Sequence, residues 1–90
     1  VRAAKGRKAA AAAELAEADV PLFEALRAWR AGEAKTQGVP AYIVFGDATL
    51  RGIATARPGS LERLAQVSGV GENKLARYGD AVLAVVAEAG

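Results

Sequence analysis

The residues best suited to chemistry in this chain stand in one stretch, SGVGENKLARYG at residues 68–79. It gathers Gly69, Gly71 and Gly79 with the turn-former Asn73 and two cations, Lys74 and Arg77. Glycine permits positive φ and lets a ligand or a second backbone come close. In Gly69-Val70-Gly71 the valine can turn inward and fix a corner while the flanking amides face out. A helix opening at Glu72 would add its own unpaired first-turn amides and the partial positive charge of its N-terminus. Together these are the chemistry of a helix-hairpin-helix corner at residues 68–74, which grips a nucleic-acid backbone without reading sequence, with Lys74 and Arg77 alongside. The same spacing also suits a plain corner between two packed helices, and the two readings weigh evenly. Glu72, at the mouth of the corner, opposes tight phosphate binding.

No second chemical constellation competes with it. The chain has no histidine and no cysteine, which excludes disulfides, thiol chemistry, the usual zinc sites and the commonest general base. Acidic residues are scattered singly, without the facing pair that two-metal chemistry needs. No phosphate-binding loop ends in Lys-Ser/Thr, and Ser60 and Ser68 have no histidine to activate them. The expectation is a non-enzymatic module with no metal and no cofactor.

The net charge of +2 and pI near 9.3 invite a nucleic-acid reading, but the charge is unevenly placed. Arg2, Lys5, Arg7 and Lys8 lie in the first twenty residues, while residues 21–90 hold eight basic and seven acidic side chains. Each phosphate neutralised needs its own cation, so affinity for DNA should be weak or depend on local placement.

The elements that must position these residues are short and helical. Of 47 apolar residues 23 are alanine, and 21 of the 24 larger ones follow Pro21, so the core belongs to residues 20–90. Residues 1–19 read as an alanine-rich charged linker, and a start without methionine reads as a piece cut from a longer chain. No apolar run approaches membrane-spanning length. Asp19 with Pro21 predicts a capped helix that stops at Gly38, carrying Leu22, Leu26 and Trp29 toward the core. AYIVF, residues 41–45, has strand propensity but no second strand to satisfy its backbone, so a short helical turn is expected. Asp47 is expected to cap a helix with Leu50, Ile53 and Ala54 on one face. Ser60 is expected to cap another, with Leu61, Leu64 and Val67 buried. A last helix runs from Glu72, and its Gly79 predicts a close helix approach or a break. The fold class is all-α.

Taken together, LFEALRAWR, VPAYIVFGDATL and VSGVGENKLARYGDAVLAVV resemble the helicase-and-RNase-D C-terminal (HRDC) domain of RecQ-type DNA helicases, over about residues 20–88. VFGDATL is spelled more like the helicase branch than the RNase D branch. The resemblance implies a compact bundle of about five helices, acting as an auxiliary module. It implies weak binding of single-stranded or branched DNA that tunes which structures a helicase engages in repair and recombination. Other members dock on the helicase core or on protein partners, so an interaction module with little DNA binding is the alternative. An RNA-processing accessory domain is a third reading. The implied setting is a monomeric module attached to the rest of a helicase chain in the bacterial cytoplasm, at the nucleoid.

Residue by residue, Tyr42 matches an aromatic position that some members bring near single-stranded DNA. It would either stack a base or close the core edge. Gly69, Gly71 and Lys74 match the hairpin, with Arg77 following it. Arg51, Arg30 and Lys35 are candidates to flank the same surface. Phe45 and Leu50 match core positions, and Asp47 matches a helix cap.

Overall fold

The computed structural model describes residues 15–89. A 3-10 turn, Glu17–Asp19, leads into helices α1 (Val20–Gln37), α2 (Ala41–Val44), α3 (Asp47–Ala56), α4 (Leu61–Ala65) and α5 (Glu72–Ala89). No strand occurs among the described residues, and the Ala-Tyr-Ile-Val segment is one turn of helix, as expected. The linker expected over residues 1–19 falls, up to residue 14, outside the described residues. From Leu15 onward the chain already packs on the core.

The long helices α1 and α5 pack on each other, α2 and α3 lie against α1, and α4 lies against α5. Between them sit Leu22, Leu26, Val44, Phe45, Leu50, Ile53, Leu64 and Val82, each at most 1% exposed. Burial of each such side chain is worth about 1.5–3 kcal/mol, enough for one small core to hold the bundle. Trp29, expected in the core, is half-buried at its edge. Its ring stands 5.6 Å from Tyr78 and 6.1 Å from Phe45, and Phe45 and Tyr78 are 5.6 Å apart.

The glycines of the corner do separate jobs. Gly69 has φ +93°, and a Cβ there would run into the Thr49 side chain, so backbone and packing both demand glycine. Gly79 is buried, and a Cβ would come within 2.6 Å of Leu61 Cδ2. The glycine therefore marks the close approach of α4 to α5. Gly38, left-handed at φ 72°, ends α1 where expected.

Three local expectations need correction. Asp47 is the first residue of α3 rather than its cap, which is Gly46. Its carboxylate instead accepts from Arg30 Nη1 at 2.8 Å. Asp19 stands at the α1 cap position but makes no side-chain capping bond, because its carboxylate is engaged by Arg57 at 3.0 Å. In each case a distant arginine outcompetes the local amide, since a charge-assisted bond is the stronger one. Leu61 is 42% exposed, because α4 is barely more than one turn and Leu64 takes the core position. Ser60 does cap α4, its Oγ accepting from Arg63 N at 3.2 Å.

Candidate nucleic-acid interface

The surface of interest starts at α2. Pro40 opens this single turn, and Val44 and Phe45 at its far end are pulled into the core at 0% and 1% exposure. A four-residue helix can turn only one side inward. Tyr42 and Ile43 are thereby left outside, 69% and 45% exposed. Of the two placements open to Tyr42, the projecting ring is the one realised.

Helix α5 brings its first-turn residues to the same place. Lys74 Nζ donates to the carbonyl oxygens of Ile43 and Val44 at 2.7 and 2.8 Å, and lies 5.4 Å from the Phe45 ring centroid. It satisfies carbonyls at the end of α2 that have no intrahelical partner. Arg77 is exposed, with its guanidinium 5.7 Å above the Tyr78 ring and Nη2 at 3.5 Å from Gln37 Oε1. Gln37 Nε2 donates to Glu33 Oε2 at 3.0 Å and to the Tyr78 hydroxyl oxygen at 2.7 Å. Gln37, Lys74, Arg77 and Tyr78, with Ile43 and Asn73, line a groove of about 220 Å³.

Of the residues singled out from sequence, Lys74 and Arg77 line this groove, while Tyr42 projects from α2 next to the lining residue Ile43 without itself lining it. Gly69, Gly71 and Arg51 are not among the residues lining that groove. Gly71 supports the corner by accepting the bond from Leu75 N at 2.8 Å. Arg30 is 8% exposed and holds Phe45 O at 2.9 Å besides Asp47, so it builds the fold beneath α2 rather than flanking its surface. Ile43 and Gln37 were missed, and Asn73 was read only as a turn-former. Ile43 reads as core in any apolar run, and only the single-turn length of α2 turns it outward. A larger, open cleft of about 540 Å³ lies between α3 and α4. Arg63, Gln66 and Ser68 line it together with Gly52, Pro58 and Val67, Ser68 being next in the chain to the glycine corner.

Among the described residues no cluster of three potential ligands could hold a metal ion. No described helix is long and apolar enough to cross a membrane.

Known proteins are similar to this chain in sequence and fold. The family model described as the HRDC domain matches residues 19–86. The chain is 44% identical over 71 residues to the ATP-dependent DNA helicase UvrD2 of Mycobacterium tuberculosis, covering 79% of this chain and 10% of that protein. It is 42% identical over 73 residues to the ATP-dependent DNA helicase RecQ of Bacillus subtilis, covering 81% of this chain and 12% of that one. The chain thus spans about a tenth of the length of these curated relatives. The solved structure of D. radiodurans RecQ HRDC domain 3 superposes with a TM-score of 0.76 at 37% identity, covering 78% of this chain and 92% of that one. A five-helix bundle with its glycine corner, a family match across nearly all the described residues and a solved HRDC domain of the same shape leave one assignment: the chain belongs to the HRDC domain family.

Proposed function

We propose that this HRDC domain is an auxiliary DNA-holding module of a bacterial ATP-dependent DNA helicase, working in the cytoplasm as part of that longer chain. It binds single-stranded or branched DNA weakly and so tunes which structures the motor engages in repair and recombination. ATP hydrolysis and strand separation belong to other parts of the helicase.

The observation that carries this reading is the exposure of Tyr42. A tyrosine projecting from a rigid scaffold, beside exposed Ile43, suits stacking of an unpaired base. Such stacking is worth about 1–3 kcal/mol per base and tolerates any sequence. Charge adds little, since residues 15–89 hold eight basic and nine acidic side chains. Binding is therefore led by stacking, with affinity micromolar or weaker. Lys74 contributes by holding the Tyr42 turn in place. The Gly69 and Gly71 amides, with Arg51 and Arg63 on neighbouring helices, offer a place for the strand's phosphates beyond the stacked base, the Val70 amide between them being taken by Val67 O.

The near-neutral surface and the apolar Tyr42–Ile43 pair favour a second reading, in which the same patch docks on the helicase core. Fluorescence anisotropy of labelled single-stranded and forked DNA, at low and near-physiological salt, separates the two. Tyr42→Ala should weaken binding of both DNAs by at least about fivefold while leaving the thermal midpoint unchanged. No measurable binding by the wild-type domain at low salt would remove the DNA reading and leave the docking one.

A further inference from the structure

Gln37 is a fixed acceptor in the groove that Ile43 lines. Its Nε2 donates to Glu33 Oε2 at 3.0 Å, and a carboxylate only accepts, so the amide has one orientation and Oε1 is the atom left for a ligand. On one side of the amide stands the Tyr78 hydroxyl, which accepts from Nε2 at 2.7 Å. Among the described residues nothing accepts the proton of that hydroxyl, so it remains available as a donor. On the other side stands Arg77, whose Nη2 sits 3.5 Å from Oε1, long enough to yield to a better acceptor. The wall therefore presents donor, acceptor, donor in the order Tyr78 hydroxyl, Gln37 Oε1, Arg77 guanidinium. Ile43 supplies an apolar wall of the groove. Its volume of about 220 Å³ falls below the 300–1,000 Å³ of sites for drug-sized ligands, so it suits a single heterocycle rather than a whole nucleotide.

We propose that this groove is a nucleobase pocket selective for thymine, with Gln37 as the residue that sets the selectivity. The proposal rests on the reading of the Tyr42 surface as a single-strand binding site. Thymine presents O2, N3–H and O4, an acceptor–donor–acceptor edge whose order complements that of the wall. Guanine matches at O6 and N1–H but sets its amino group against the third. Cytosine and adenine place a ring-nitrogen lone pair against Gln37 Oε1, acceptor against acceptor, which leaves polar groups unpaired. Tyr42 would stack the neighbouring base whatever its identity, so the domain combines one tolerant contact with one selective contact.

The test compares anisotropy titrations of the domain with short oligothymidylate, the same strand built from N3-methylthymidine, and oligodeoxycytidylate. Methylation removes the N3–H donor and leaves the backbone charge intact. The wild-type domain should bind oligothymidylate at least about fivefold tighter than either of the others. Gln37→Met should bind all three alike, and Tyr78→Phe, which keeps the ring, should reduce the preference. A circular-dichroism melt of each variant separates lost selectivity from lost fold. Equal wild-type affinity for the thymidine and N3-methylthymidine strands would overturn the pocket while leaving the stacking surface standing. Binding of none of the three at low salt would overturn both.

Discussion

The carbonyls of Ile43 and Val44 close a helix only four residues long, and the ammonium of Lys74 reaches them at 2.7 and 2.8 Å. In the sequence, a lysine three residues after a glycine corner reads as a hand held out to phosphate. In the fold its ammonium is engaged by two carbonyl oxygens, while the half-buried side chain lines the groove. Lys74→Met keeps the aliphatic stem and removes both bonds. It should cost roughly 1–2 kcal/mol of stability and weaken DNA binding through the loosened Tyr42 turn. The slope of log affinity against log salt should stay unchanged, since no phosphate contact is lost. A slope reduced by about one unit would instead make Lys74 a direct phosphate ligand. Such choices were out of reach of spacing arguments. Arg30 and Asp47 are seventeen positions apart, and Gln37 and Tyr78 forty-one, so their pairings exist only once the bundle has closed.

Elements were far more legible than contacts. The i, i+4 recurrence of Leu22 and Leu26, the Gly38 stop and the Ser60 cap are local signals, and local signals survive folding. The short turn at residues 41–44 also followed from an accounting argument: one strand without a partner cannot satisfy its backbone. The helix starts at Asp19 and Asp47 were read to within one residue, but not the lack of capping bonds there, because propensity cannot see the arginines that claim those carboxylates. The glycines give an element-scale prediction with opposite outcomes. Gly69→Ala combines a φ of +93° with a clash against stiff, β-branched Thr49, and should destabilise by about 2 kcal/mol or more in urea unfolding. Gly79→Ala meets only the far end of Leu61, a half-exposed side chain free to swing away. The helix-propensity gain of about 1 kcal/mol should offset that shift, leaving a change near zero. Equal losses at both positions would mean that the corner is not held by Thr49.

At the scale of the whole molecule, the folded unit reaches back beyond the first long helix. Arg57 adopts a left-handed φ of 46° at the end of α3, a conformation that costs a non-glycine residue about 1 kcal/mol. From there it bonds both the Asp19 carboxylate and Ala18 O at 3.0 Å. Leu15 adds apolar contact on the same approach. The comparison to make is between a chain cut to residues 15–90 and a shorter one. One cut to residues 20–90 should lose about 1–2 kcal/mol, from the partly exposed ion pair and the Leu15 contact. Identical midpoints for the two truncations would show that the clasp does not stabilise the domain. The carbonyl-bound lysine has a consequence of another sort. Lys74 holds the 41–44 turn by main-chain oxygens, which every amino acid possesses, and the core holds it by Val44 and Phe45. Neither grip depends on the identity of residues 42 and 43. Those two positions are therefore open to evolutionary exchange at little risk to folding, so one scaffold can display a base-stacking ring in one helicase and a protein-docking patch in another.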